Sequence, residues 1–290
     1  MSIVNSIIQT QELATLPPIA TKVLMMLEDD NIDMRTLAQV IETDASMSLK
    51  LLRVANSPLY ATKTHINSIN QALLILGLNR LTNIVLGVSI FSKFLVASQK
   101  LEMKLMEKFW WHSSCTGIVA KALTSKLRLN FKELEFIGGL LHDIGKMAMM
   151  QYDPAKFKKV VELIEEKEIT DIIAEREIFG TDHAEVGEQI AKLWKLPEDL
   201  IFVISNHNSP EQIPEYKELI SVVRFSDLLC EIWGADIHEG YKVVDFNNEE
   251  CWMILKSSYP ELQNLDMEKF TFELEEEYKK SSEFLNFLKD

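Results

Sequence analysis

Residues 138–147 read GGLLHDIGKM. A His-Asp pair, His142-Asp143, lies inside an apolar stretch flanked by glycines. Glycine has no Cβ, so it lets two backbones approach closely. A charged or hydrogen-bonding side chain in such surroundings is costly unless something pairs with it. The stretch therefore predicts a tightly packed helix whose polar pair needs partners from elsewhere in the chain.

Outward from it, helical periodicity is present almost everywhere. Asn-Gly and Asp-Gly hairpin signals are missing, and alternating β-branched runs are few. Prolines at 17, 18, 58, 154, 197, 210, 214 and 260 punctuate the chain, and helices stop before a proline or start just after it. The first half predicts helices near 18–28, 33–43, 46–56, 67–76 and 79–97. The second predicts them near 101–127, 131–150, 154–167, 170–178, 183–194, 197–206, 215–233 and 248–257. In the third, Met47, Leu51 and Val54 share a face, and Asn56-Ser57-Pro58 ends it. Asp182 with Glu185 makes a capping box before His183. The fold class is all-α.

The partners are sought among six histidines. His112 lies in FWWHSS, His183 opens HAEVGEQIAKLW, and His207 lies in ISNHNSP. Asp227 lies in RFSDLL. These four and His142-Asp143 sit in apolar helical contexts. His65 and His238 lie in loops and read as exposed bystanders. A bound cation would satisfy all six residues at once. Imidazole with carboxylate suits Mn, Fe or Zn, as one ion or two. Two such ions could activate a water against a phosphate. In that case Asp143 bridges the ions and Lys146, one turn on, reaches a phosphate oxygen. Gly138, Gly139 and Gly145 allow the close helix approach. The bland alternative is a metal-free hydrogen-bonded cluster that rigidifies the bundle.

Composition narrows the partners. The 290 residues carry a net charge of −14, and 47% are apolar with 10 Gly and 8 Pro. That is an ordered globular chain, and its charge argues against nucleic acid and anionic membrane as partners. Cys115, Cys230 and Cys251 form no CxxC, which suits a reducing compartment. The N-terminus has no secretory pattern, so a cytoplasmic location is expected. The apolar stretch 72–91 is broken by Asn79, Arg80 and Asn83 and reads as a buried helix pair rather than a membrane span. Trp110-Trp111, Trp194 and Trp233 read as core anchors. Met25, Met26, Met103, Met147, Met149 and Met150 read as core filler. The acidic tail from about 245 predicts an amphipathic helix around 272–278 with a solvated face. A partner-binding role is its alternative.

The constellation resembles the H…HD…D signature of HD-superfamily phosphohydrolases in His112, His142-Asp143 and Asp227. His183 and His207 are similar to positions of the HD-GYP branch, which cleaves cyclic dinucleotides. The first half resembles the HDOD family instead, in LPPIATKVLMMLEDD (16–30), IETDASMSLKLLRVANSPLY (41–60) and INSINQALLILGLNRLTNIVLG (66–87). WKLPEDLIFVISNHNSP (194–210) does so too. The resemblance covers about residues 12–230. It implies a bacterial signal-output protein, an N-terminal helical subdomain (1–98) packed on an HD-like bundle (99–235), with an acidic extension (236–290). The seam is expected near Ser98-Gln99-Lys100. Two departures from HD-GYP enzymes stand out. Asn208 replaces a second His, and the substrate loop is missing. Ala45 replaces the proline usual in the HDOD motif.

Three functions follow. The first is a non-enzymatic regulatory module that docks signalling proteins, with no catalytic residues. The second is a metal-dependent phosphohydrolase using Asp143 and Lys146, which must lower its barrier by on the order of 15 kcal/mol. The third is a sensor holding a nucleotide without turnover. His112, His142, Asp143, His183, His207 and Asp227 are the metal-ligand set in each reading that has a metal.

Overall fold

Short polar side chains set many of the helix starts. Asp33, Asp44, Ser68, Asp153 and Asp182 each accept backbone N–H bonds from the first turn that follows, supplying acceptors to donors that the helix itself leaves unpaired. Asp182 bonds the Glu185 N–H at 2.9 Å, but Glu185 turns its carboxylate to the Thr181 hydroxyl at 2.6 Å. Only half of the predicted capping box forms.

The computed structural model describes residues 2–9, 15–27, 33–57, 59–60, 62, 64–97, 103–212, 215–240 and 244–279. Among them are sixteen α-helices and no strand. Helices α1 (Ile3–Ile8), α2 (Pro18–Leu27), α3 (Met34–Glu42), α4 (Ala45–Ala55), α5 (Ile69–Leu76) and α6 (Leu78–Ala97) make the first part. Then come α7 (Met103–Leu127), α8 (Leu134–Leu141), α9 (Ile144–Tyr152), α10 (Pro154–Lys167), α11 (Asp171–Phe179), α12 (His183–Leu193), α13 (Glu198–Asn206) and α14 (Lys217–Ile232). Helices α15 (Glu250–Ser258) and α16 (Met267–Lys279) are the last of the described helices. The expected seam at Ser98-Gln99-Lys100 lies outside the described residues. The first helix, α1, was not expected from the sequence, and it packs against α9 and α12.

Helices α2 to α6 pack on one another, and α6 leans on α8. The predicted pair within 72–91 is α5 and α6, parted by Gly77 at φ +83°. No helix among the described residues is long and apolar enough to cross a membrane. Arg80 and Asn83, which interrupt that stretch, reach Glu133 at 2.9 Å each, by side chain and by backbone carbonyl. Lys121 holds the same Glu133 carboxylate at 2.8 Å. Polar residues in an apolar run thus mark where one helical layer meets the next.

Met47, Leu51 and Val54 are buried on α4 as expected. Asn56 caps that helix and does more. Its side chain donates to Ile66 O and accepts from the Ile66 N–H, both at 2.8 Å. This two-way pairing replaces a strand partner for an isolated backbone segment. We expect Asn56→Ala to cost about 1–3 kcal/mol, since both Ile66 groups lose their partner, and urea unfolding would read that loss.

Trp110 is buried edge-on to Phe91, 4.7 Å between centroids, and Trp194 is buried too. Met147, Met149 and Met150 are core residues, but Met25 is 63% exposed and is not filler. Helices α15 and α16 cover the back of α7 and α14, burying Trp252, Phe270 and Leu274 against Cys115, Val119 and Phe225. Tyr278 donates to Trp233 O at 3.1 Å. The tail helix therefore has a seated apolar face, with Phe272 63% exposed on the other side.

All three cysteines are buried. Burial pushes the Cys251 thiol up to about 12 from 9.0. A thiol raised in the folded state contributes stability that is present below pH 9 and lost as pH climbs towards 12. Native protein should leave its thiols unreacted towards a disulfide reagent at pH 8, and urea should release all three. A fast native thiol would contradict this burial.

Candidate metal centre

The predicted helix over 131–150 is two helices. It breaks at His142 and Asp143, the polar pair of the glycine-flanked stretch. An unbroken α-helix would point neighbouring residues roughly 100° apart. The break lets both side chains aim at one centre. His112 reaches it from α7, His183 from the first position of α12, His207 from the residue after α13, and Asp227 from α14. All six residues are fully buried.

Glycines make the convergence possible. A Cβ on Gly139 would lie 2.7 Å from Gly117 Cα, so α8 and α7 touch backbone to backbone. A Cβ on Gly145 would lie 1.9 Å from His183 O. Gly138 is also tight, against Val203. The flanking glycines of the motif thus set the helix spacings on which the ligand distances depend.

The six residues form two halves that share Asp143. In the first, His112 Nε2 lies 3.1 Å from Asp227 Oδ1 and 3.2 Å from His142 Nε2. His142 Nε2 lies 3.4 Å from Asp227 Oδ1 and 3.5 Å from Asp143 Oδ2. In the second, His183 Nε2 and His207 Nε2 are 3.2 Å apart, and they lie 3.3 and 3.5 Å from Asp143 Oδ1. The carboxylate presents one oxygen to each half.

The outer nitrogens fix the tautomers. His112 Nδ1 meets Ala235 O at 2.7 Å, His142 Nδ1 meets Gly139 O at 2.7 Å, and His207 Nδ1 meets Ile204 O at 3.1 Å. His183 Nδ1 meets Glu175 Oε2 at 2.7 Å. Each partner is an acceptor, so each Nδ1 carries the proton, and a neutral ring turns a lone pair inward at Nε2. Four lone pairs then turn inward among carboxylate oxygens, and only those of His183 and His207 have an N–H nearby, from Asn208. Asp143 Oδ1 and Asp227 Oδ1 are buried without a hydrogen-bond donor. An interior of acceptors facing acceptors requires positive charge.

The wider charge count agrees. Around the centre are six buried carboxylates, Asp143, Asp171, Glu175, Asp227, Glu231 and Glu239, against two buried cations, Lys146 and Arg224. If all ionise with neutral histidines, four negative charges are left over. Without an ion, protons must compensate. Burial alone would lower His142, but Asp143 and Asp227 outweigh it and raise it to about 9. Burial opposes His183 likewise, and Glu175 with Asp143 carries it up to about 10. His207 is lowered by burial to about 4. Burial, with Glu239 nearby, pushes Glu231 up to about 11. The residues fit divalent metal: two convergent Nε2/carboxylate sets, fixed tautomers and uncompensated oxygens. His112, His142, Asp143 and Asp227 would hold one ion, and Asp143, His183 and His207 a second. Metal here would supply Lewis acidity or simply counter-charge.

Asn208, which stands in place of the second histidine of HD-GYP enzymes, covers the second half. Its Nδ2 donates to His207 Nε2 at 2.8 Å and His183 Nε2 at 3.0 Å. Lys146 does not face an open phosphate site. Its Nζ holds Asp143, Asp171 and Glu239 at 2.8 Å each. His65 is exposed as expected, but His238 is half-buried, 3.6 Å from Glu165.

Asp171, Glu175, Arg224, Glu231 and Glu239 were not singled out from the sequence. Glu239 Oε1 lies 3.9 Å from His112 Nε2 and belongs to a set of potential ligand atoms with His112, His142 and Asp143. A signal for it existed. After α14 the chain runs Ala235-Asp236-Ile237-His238-Glu239, and Ala235, Ile237 and Glu239 are the buried ones. That is the period-2 pattern of an extended segment, with an acid on its inward face.

A helical layer set on a bundle that gathers His and Asp from five elements defines an HD-type fold. The HDOD domain family matches residues 13–210, and the chain belongs to that family. A curated but uncharacterised protein of Treponema pallidum is 26% identical over 219 residues, covering 75% of this chain and 42% of that protein. The chain thus spans less than half the length of the curated relative it matches. Among solved structures, an HDOD domain protein of unknown function from Geobacter sulfurreducens is 27% identical with a TM-score of 0.77, covering 93% and 92% of the two chains. A protein from Shewanella amazonensis, provisionally named a phosphohydrolase, is 20% identical with a TM-score of 0.74 and covers 98% of both chains.

Proposed function

We propose that this chain is a regulatory module of signal transduction that acts by docking other proteins. Its His/Asp centre holds divalent metal as structure or sensor rather than turning over phosphate. The observation that carries this is enclosure. All six ligand residues are fully buried. The 235–240 segment lies over the first half, and the Asn208 amide caps the second. Hydrolytic metal sites keep a coordination position open to water and substrate, whereas structural sites are closed.

A cleft beside the centre supports the same reading. It encloses about 520 Å³ and abuts the centre at Asn208. Asp182, Glu185 and Glu188 line it, with Arg176 as its cation. Arg176 is already paired to Asp182 at 2.7 Å. Such a wall attracts metal ions and repels phosphate esters and nucleotides. Leu49 on α4 and Leu74 on α5, 53% and 87% exposed, are among the apolar side chains offered for docking. These helices pack together beside the Asn56-Ser57 turn.

A phosphohydrolase is the second reading, favoured by the six retained ligand-type residues and by Asp143 dividing its oxygens between the halves. Assays on cyclic dinucleotides and simple phosphoesters decide, with elemental analysis of the same sample. Metal present and no product from either substrate class is the expected result. Metal-dependent turnover near the ordinary enzymatic range, about 1 s⁻¹ or more, would replace this reading with the second. Binding of a nucleotide without product would make the module a sensor.

A further inference from the structure

Two buried cations converge beside the first half of the centre, and the anion between them belongs to the chain itself. Lys146 Nζ lies 2.8 Å from Glu239 Oε1, and Arg224 Nη1 lies 3.4 Å from Glu239 Oε2. The same carboxylate lies 3.9 Å from His112 Nε2. Glu239 is 1% exposed. It is carried by a non-helical segment fastened on both sides. His112 binds Ala235 O, Glu231 accepts the Ile237 N–H at 3.0 Å, and the Asp171 N–H binds Glu239 O at 3.2 Å.

A carboxylate is held here by an ammonium, a guanidinium and the edge of a metal-ligand set. Those are the groups that recognise an oxyanion such as phosphate. The other carboxylates nearby already have places. Asp143 and Asp171 share Lys146, and Asp227 takes Arg224 Nη1 at 2.6 Å. Glu239 is the one delivered from outside the helical bundle.

We propose that Lys146 and Arg224 form an oxyanion site against the metal centre and that Glu239 is its built-in occupant. A phosphate group enters only when this carboxylate is removed. The inference rests on the reading that the native centre is closed. It assigns that closure to one side chain.

The test compares wild type, E239A and E239Q, each titrated with inorganic phosphate and, at matched ionic strength, with chloride. Titrations are run with saturating Mn²⁺ and again without metal, and metal content is measured in each. Melting temperature is the readout. Phosphate at about 20 mM should raise E239A by about 3 °C or more over chloride, and wild type by less than about 1 °C. E239Q keeps the shape and loses the charge, so it should respond in between. It also carries the test if E239A does not fold. No phosphate-specific shift in any folded variant, with or without Mn²⁺, overturns the proposal. So does loss of metal from E239Q, which would make Glu239 a ligand rather than an occupant. Turnover of phosphoesters by unaltered protein would instead sink the regulatory reading, so the two failures are distinct.

Discussion

Asp143→Ala should strip metal from both halves of the centre at once. The Asp143 carboxylate faces His112 and His142 with one oxygen and His183 and His207 with the other, so no other single change reaches both. Lys146 also loses one of its three partners. Breaking a buried charge network costs roughly 3–5 kcal/mol, which in a chain of this size is a fall of on the order of 10 °C in melting temperature. Elemental analysis beside a thermal melt reads both effects. Metal absent from wild type and variant alike, with the same thermal loss, would leave the six residues as a hydrogen-bonded scaffold. Metal retained in the variant would mean that the ions sit elsewhere.

Gly145→Ala should be the most damaging single methyl group in the molecule. Its Cβ would fall 1.9 Å from His183 O and 2.9 Å from Gly187 N. Both contacts are backbone, so no side chain can swing aside. Helices α9 and α12 must separate, and that shift pulls His183 away from Asp143. Overpacking of an ordinary core site costs about 1–3 kcal/mol, and a clash with two fixed backbones should exceed about 4 kcal/mol. Gly180→Ala is the control. Gly180 has φ +77° and open space around it, so it should cost only about 1–2 kcal/mol of backbone strain. Denaturant midpoints of the two variants would show the difference. Equal losses would mean that helix spacing does not govern this site.

The sequence made the helices and the inner ring of the site readable, for a shared reason. Apolar periodicity and short polar caps act within a few residues, and they mark the helices from α2 to α15 closely, except that α8 and α9 run together. The six ligand-type residues stood out because polar groups in apolar helical runs need an explanation. What escaped depends on distant neighbours. The break at His142-Asp143 has no proline or turn signal, and it follows from the need to aim two adjacent side chains at one point. Glu175 and Asp171 look like ordinary helix carboxylates until α12 places His183 against them. Met25 carries the same apolar side chain as Met149, yet it faces away from the core that Ile19, Ala20 and Val23 of its own helix join. Glu239 was hidden by an exposed-looking acidic neighbourhood, although its alternating pattern could have given it away.

The family match ends at residue 210, whereas the centre does not. Asp227, Arg224 and Glu239 lie beyond that limit, as do Trp252, Phe270 and Leu274, which pack against Cys115 and Val119. A chain cut at 210 would lay bare one flank of α7 and leave His112 without the Ala235 carbonyl that orients it. The stretch that the family model matches is therefore smaller than the stretch that builds the centre. The family signature and the completed centre have different boundaries in this molecule, and α14 with its following segment lies between them.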